Sequence, residues 1–349
     1  MNKSIFSLIL ISLIMSTTDA FSQKTDVNHV EWKTAAQLQN PDGSLSLGFA
    51  GAINGVSNDV LLVTGGANFP DKMPWEGGKK SYSKTIHLLE KCGDKYSWIK
   101  VVKTELPESI AYCGTTTTDL GVVYVGGENE NGLSNKSYIL KWNAAKKEVE
   151  IKSLPNFPFA IANIALTQID NVVYAVGGDE ATKSSDYFAS LDLNDTNSEW
   201  KALPKLPLAL ANSVVIAQKG QNGIGIYVVG GRTKTASGIS DLHHTTFVFD
   251  VKTQQWKNAA AISDGKNTTN FSAGAGVAVG KHSIVIVGGD NGAIFHQIET
   301  YLSQIAQAES PEQKTELIAK KNKLVTNHPG FYNGILLYNT LTDQWKKIG

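Results

Sequence analysis

The sequence predicts an all-β propeller of repeated four-stranded blades with one helical insertion, and three observations carry that prediction. A Gly-Gly pair closes a short apolar run five times, at Gly65-Gly66, Gly126-Gly127, Gly177-Gly178, Gly230-Gly231 and Gly288-Gly289. The pairs lie 51 to 61 residues apart, a blade-sized period rather than that of a solenoid. A tryptophan follows at a matching downstream position in most units: Trp98, Trp200, Trp256 and Trp345, with Trp142 displaced to the end of the third strand of unit two.

Each element has a local reason. In unit three, Ile161 to Thr167 alternates as a first strand (a), and the Asp170-Asn171 pair turns the chain into a second strand (b), Val172 to Gly178. A third strand (c) spans Tyr187 to Leu193, and Trp200 opens a fourth (d) with Lys201, Ala202 and Leu203. The di-glycines fit where strand b meets a crowded centre, because a Cβ would obstruct either the turn or the close approach. The tryptophans are expected between blades, since a blade cannot bury its apolar face alone.

Between strand b of unit five and a strand c near Ile335 to Asn339, residues 291–333 read as a helical insertion. Ile294, Ile298, Tyr301, Leu302 and Ile305 recur at helical spacing. A second helix starts at Ser310 with Pro311, Glu312 and Gln313 supplying capping chemistry, and His328, Pro329 and Gly330 end it. Such an insertion either roofs a site or pads the rim.

The five units fill the chain from about Gly48, and ahead of them Val30 to Leu38, with Glu31 and Trp32, reads as a lone d strand. Propellers close by sharing one blade between the two ends of the chain. The expectation is therefore a six-bladed ring over 26–349 in which Trp32 belongs to blade six, the remaining strands of that blade falling beyond Gly349 in a C-terminally truncated sequence. A five-bladed ring with a loose N-terminal strand is the alternative.

Residues 1–20 have the plan of a secretory signal peptide: Lys3, an apolar run from Ile5 to Met15, then small polar residues up to Ala20. A run this short does not span a bilayer, so a periplasmic or secreted protein is expected, with no membrane association after cleavage. Lys plus Arg and Asp plus Glu are both 32, which leaves no electrostatic footprint for nucleic acid. Cys92 and Cys113 are too few for a disulfide framework and read as structural, whether or not they pair. His243 and His244 are neighbours pointing to opposite faces of a strand, with no third ligand at metal spacing, so no metal site is expected.

Chemistry is expected on the b to c and d to a loops at one mouth of the ring. The b to c loop of unit one holds the densest polar cluster, Trp75 to Ser83, with Lys79, Lys80 and Tyr82. Lysine suits a carboxylate and an aromatic ring suits a pyranose face, although alternation lets only one of the two lysines face a ligand. The residues after each di-glycine share a register: Glu128 and Asn129, Asp179 and Glu180, Arg232, then Asp290 and Asn291. Carboxylates there either serve as acid and base or simply cap turns.

The repeats resemble the kelch repeat. Gly65, Gly66, Ala67, Asn68, then Glu76 to Ser83, Ile86, His87 and Leu88 are similar to the N-acetylneuraminate epimerases, the kelch-type sialic acid mutarotases. Ala111, Tyr112, Gly126, Gly127, Glu128, Ile294 and Phe295 extend the likeness, in the rotated order of the cyclically permuted branch. The resemblance implies interconversion of the anomers of an acidic sugar, without cofactor. It implies Lys79, Lys80, Tyr82, Glu128 and Phe295 as substrate-binding positions, the loop lysines taking the carboxylate and Glu128 making a secondary polar contact, and the shared register after the di-glycines adds Arg232 and Asn291 as candidates. The family's proton-accepting glutamate falls on the b to c loop of the sixth blade, so the catalytic residue is unknown here. A non-catalytic kelch module that binds glycan or protein is the rival reading.

Overall fold

The computed structural model describes residues 27, 29–40, 42–100 and 102–349. The expected signal segment, 1–20, lies outside them.

Five antiparallel four-stranded sheets form the blades, each in the order a-b-c-d. Blade one comprises Ile53–Ser57, Val60–Thr64, Ile86–Cys92 and Lys95–Trp98; blade two comprises Gly114–Thr118, Gly121–Val125, Ser137–Asn143 and Glu148–Leu154. Blade three comprises Ala165–Ile169, Val172–Val176, Phe188–Asp192 and Lys201–Ala202. Blade four comprises Val214–Gly220, Gly223–Val229, Thr246–Asp250 and Gln255–Ala259; blade five comprises Ser272–Val279, Ser283–Asp290, Leu336–Asn339 and Gln344–Lys347. Strand a of blade three starts later than the sequence pattern implies, because Ile161 and Ala162 belong to the entry loop. There Ala162 bridges Asp179 outside the main ladder.

The strands follow from alternation and turn chemistry. Asp170 and Asn171 take the left-handed conformation at φ 49° and 63°, the geometry a two-residue hairpin turn demands. Strand b is buried along its whole length in blade two, Val122 to Val125, because it packs against neighbours on both faces.

Four apolar clusters fill the four seams between consecutive blades. Trp200, Trp256 and Trp345 sit in these seams as expected, whereas Trp98 belongs to none of the four clusters. Trp200 Nε1 donates to Pro155 O at 2.9 Å, Trp256 Nε1 to Pro204 O at 2.7 Å and Trp345 Nε1 to Ala260 O at 3.0 Å, each carbonyl belonging to the linker that leaves the preceding blade. Trp142, displaced onto strand c of blade two, is buried in the first seam. The crowding that requires the di-glycines also comes from the neighbouring blade. Gly66 N donates to Ile110 O, Gly127 N to Ile161 O, Gly178 N to Leu210 O and Gly231 N to Phe271 O, all at 2.7 to 2.8 Å. A Cβ on Gly126, Gly177 or Gly230 would fall on that same carbonyl.

The N-terminal segment departs from expectation. Val30 to Leu38 forms no ladder, and Trp32 is 69% exposed. Val27 and Val30 pack on the free flank of blade five, beside Val285, Ile335 and Leu337. Further along, Gln37 O accepts the Trp98 indole N–H at 2.9 Å, which puts Gln37 where a preceding blade's linker carbonyl stands in the other seams. A strand needs another strand to pair with, and the described residues supply no ladder partner to this segment.

Between strands b and c of blade five stands a helical hairpin, α1 (Phe295–Gln307) and α2 (Pro311–Thr326), within the expected insertion 291–333. Ser310 caps α2 by accepting from Gln313 N at 3.1 Å, as its sequence implies. Neither helix buries a residue, so the hairpin adds nothing to the core. It leans on blade four instead: Glu299 accepts from Ser240 N at 2.6 Å and from Ser240 Oγ at 2.9 Å, and Ser303 Oγ donates to Ser237 O at 3.1 Å. Among the described residues no helix is long and apolar enough to cross a membrane.

Candidate functional site

The extensions of strands a and b pair at one mouth in every blade, by Ala50 with Ala67, Ala111 with Glu128, Ala162 with Asp179, Ala211 with Arg232 and Ser272 with Asp290. The residues after the di-glycines are therefore structural equivalents. Just inside that rim runs a collar of residues in the left-handed region, Gly51, Tyr112, Asn163, Asn212 and Ala273, at φ 54° to 63°. Each N–H donates to the carbonyl one blade back: Tyr112 to Gly51, Asn163 to Tyr112, Asn212 to Asn163 and Ala273 to Asn212, at 2.8 to 3.1 Å. The collar and the a strands line a central channel of about 520 Å³.

Two charged clusters stand on this rim. In the first, Glu128 Oε1 accepts from Lys80 Nζ at 3.1 Å and from Tyr82 OH at 3.0 Å, while Oε2 has no partner among the described residues. The Lys80 ammonium also lies 4.9 Å from the centre of the Tyr112 ring and 5.6 Å from that of Tyr82. Burial works against the ammonium, but the hydrogen bond to Glu128 and the surrounding Tyr112, Glu128 and Tyr82 charges outweigh it and raise the Lys80 pKa. Burial first, then the Glu128 carboxylate, raises that of Tyr82. Both side chains thus hold their protons at neutral pH. A cavity of about 370 Å³ opens beside them, lined by Phe49, Asn68, Phe69, Met73, Lys80 and Tyr112.

The second cluster is deeper and joins blade three to blade four. Asp179, 2% exposed, accepts from Arg232 Nη2 at 2.6 Å, Asn163 Nδ2 at 3.0 Å and Ser184 Oγ at 3.0 Å, with Lys234 Nζ at 3.7 Å. Asn163 is itself a collar residue, so the cluster fixes part of the rim.

Of the positions expected from sequence, Lys80, Tyr82 and Glu128 come together. Lys79 is exposed and makes no ion pair among the described residues; both lysines precede the short strand Ser81–Tyr82, so strand alternation does not govern them. Arg232 belongs to the second cluster. Asn291 caps the turn before α1 through Ala293 N at 3.1 Å and lines a separate cavity of about 480 Å³ with Ser240, Asp241, Asn270 and His296. Phe295 opens α1, half-buried, and touches neither charged cluster through a hydrogen bond or an ion pair. His243 and His244 engage different partners, Thr233 Oγ1 at 2.9 Å and Asn270 Oδ1 at 3.3 Å. Cys92 is exposed and Cys113 donates to Gly126 O at 3.2 Å; they are not paired. Asn163 and Lys234 escaped the sequence reading. The repeated triplets Ile110-Ala111-Tyr112, Ile161-Ala162-Asn163 and Leu210-Ala211-Asn212 were the signal that could have located the collar.

Fold and rim together define a kelch-type β-propeller with charged and aromatic side chains converging on one mouth. Kelch-like protein 41a of Danio rerio is 28% identical over 139 residues, 40% of this chain and 21% of that protein. The solved structure of YjhT superposes with a TM-score of 0.58 at 13% identity, covering 77% of this chain and 83% of the other, and supports the propeller fold alone.

The chain belongs to the N-acetylneuraminate epimerase family, whose profile matches residues 13–151 and 154–349. The N-acetylneuraminate epimerase of Vibrio cholerae is 39% identical over 129 residues, 34% of this chain and 32% of that protein. That of Haemophilus influenzae strain PittEE is 34% identical over 123 residues, 34% of this chain and 32% of that protein. The matched stretch thus spans about a third of the length of these curated relatives. The family's named activity is of the isomerase class.

Proposed function

We propose that this protein is a mutarotase that interconverts the α and β anomers of N-acetylneuraminate at the collared mouth. A base takes the proton of the anomeric hydroxyl while an acid protonates the ring oxygen. The C–O bond of the ring then breaks, giving the open ketone with a free hydroxyl, and the reverse steps on the other face of the carbonyl give the second anomer. No electron changes hands, so the balance needs no redox partner. Positioned acids and bases contribute about 10²- to 10⁴-fold each, which is enough for a reaction with a modest barrier.

The observation that carries this reading is the Lys80, Tyr82 and Glu128 cluster over the Tyr112 ring, beside a cavity. Two groups that keep their protons and one carboxylate oxygen without a partner can hydrogen-bond sugar hydroxyls, and an aromatic face can carry a pyranose.

The same reading takes the ring as six-bladed, with the sixth blade between blades five and one and the Trp32 segment at its outer position. Gln37 in the linker role and the open space beyond Gly288 support that arrangement. The family resemblance assigns the proton-accepting glutamate to that blade's b to c loop. The short apolar run at Ile5 to Met15 supports export, and hence action on sugar outside the inner membrane.

The test is to release α-N-acetylneuraminate in situ and follow its conversion by NMR. Acceleration over buffer that saturates with substrate is expected. A rate equal to that of buffer, with sugar binding intact, would leave a glycan-binding kelch module in place of an enzyme.

A further inference from the structure

The two rim clusters differ in how their charge closes. Lys80 is matched by Glu128, one cation to one anion. Around Asp179, two cations share a single carboxylate, Arg232 at 2.6 Å and Lys234 at 3.7 Å. The other groups bound to Asp179, Asn163 and Ser184, are neutral. Neighbouring acids do not redress the balance. Glu180 is held by Lys183 at 3.5 Å and offers Lys234 only its backbone carbonyl, at 3.3 Å. Asp241, cross-strand from Thr233, makes no ion pair with either cation among the described residues. The cluster therefore keeps one uncompensated positive charge, with side-chain exposure of 3% for Asp179, 12% for Arg232 and 34% for Lys234.

Donor capacity points the same way. A guanidinium offers five N–H donors in a rigid fork, and Arg232 spends one of them, on Nη2, on the protein. Its Nε and Nη1 are not among the buried polar atoms left without a partner, so they reach solvent at the mouth. Asp179 takes one Nη2 hydrogen, which leaves the second Nη2 hydrogen and the nitrogen beside it as a planar edge for a bidentate acceptor. Lys80, by contrast, already has its charge matched by Glu128.

We propose that Arg232 and Lys234, held in place by Asp179, form the anion subsite that takes the carboxylate of the acidic sugar, in place of the loop lysines to which the sequence alone assigned it. This rests on the mutarotase reading only for the identity of the sugar. Arg232 and Lys234 are binding residues and Asp179 is a positioning residue; the Lys80, Tyr82 and Glu128 cluster remains free to engage hydroxyls.

Titration calorimetry with N-acetylneuraminate, its methyl ester and glucuronate tests the assignment, with mutarotation followed in parallel. Wild type is expected to prefer the free acids over the ester by at least about tenfold. Arg232→Gln should abolish that preference and raise KM with little change in kcat. Lys234→Gln, at a more exposed position, should reduce the preference severalfold and guards against misfolding of the first variant. Lys79→Ala should leave it intact. Retention of the acid preference in both the Arg232 and Lys234 variants overturns the subsite, even if mutarotation is normal. Arg232-dependent binding of acids without mutarotation upholds the subsite and removes the isomerase reading. Failure of wild type to bind any of the acids removes both.

Discussion

Four seams between consecutive blades are filled in the same way, whereas the flanks of blades five and one that face each other across the ring are not. In each filled seam the di-glycine of one blade receives the carbonyl of the next, and an apolar cluster closes the space behind it. At the remaining position a Cβ built on Gly288 meets nothing within 4 Å, although its φ of 66° matches that of the other leading glycines. Val277 on strand a of blade five is 55% exposed, and Trp32 is 69% exposed. The repeated residues therefore serve the neighbouring blade rather than their own. Gly288 shares the φ of the other leading glycines without a neighbouring carbonyl near it among the described residues.

The contrast between seams is testable, and tryptophan should show it most strongly. Trp345 is 7% exposed and packs into the seam between blades four and five, so Trp345→Ala should cost about 3 to 5 kcal/mol in urea unfolding, the usual penalty for emptying a large buried site. Trp32→Ala should fall within about 0.5 kcal/mol of wild type, as substitutions on exposed surface do. Equal costs would mean that Trp32 is enclosed in solution and that the fifth seam is filled.

The same contrast explains what could be read from the sequence. The di-glycines, the d-strand tryptophans, the Asp170-Asn171 turn and the Ser310 cap are local devices, each imposed by a backbone conformation or a short-range bond, and all stand where the pattern put them. The Trp32 strand did not form, because strand character in Val30 to Leu38 is only a propensity until another strand pairs with it. In the rim, Lys80 and Tyr82 were legible as a dense polar loop. Asp179 was indistinguishable from a turn-capping aspartate, since its importance lies in burial and in Arg232, which is 53 residues away in sequence. That Glu128 pairs with Lys80 was likewise invisible, the two being 48 residues apart in sequence.

A second comparison uses glycines of identical backbone conformation, and its expected effect is smaller. Gly177→Ala brings a methyl group onto Leu210 O in a filled seam, and Gly288→Ala brings one into open space. Both pay about 1 to 2 kcal/mol for a side chain in the left-handed region. Only the first adds overpacking, typically about 1 to 3 kcal/mol. Gly177→Ala should therefore melt lower than Gly288→Ala by a few degrees, since about 1 kcal/mol corresponds to roughly 2 to 4 °C in larger domains. Coincident melting curves would show that the Leu210 carbonyl can retreat without cost.

The smallest effect concerns acid, and it falls on the open side of the ring. His87 of blade one stands 5.9 Å from the Phe49 ring and 6.1 Å from that of Trp98, and its Nε2 is buried without a hydrogen-bond partner. Burial lowers its pKa below the ordinary 6.5, so the folded protein keeps the ring neutral while the unfolded chain takes up a proton. Stability from this residue is complete above the unfolded value and is lost as pH falls through the lowered folded one. At the filled seam side of the ring, burial likewise lowers the pKa of His243, but its Nε2 has Thr233 Oγ1 at 2.9 Å as a partner. Urea midpoints measured from about pH 7.5 to about pH 5.5 should decline, and His87→Phe should flatten that decline while leaving the contribution of His243. An unchanged slope in the variant would show that water reaches His87 from the open flank and that the ring is not enclosed by Phe49 and Trp98 in solution.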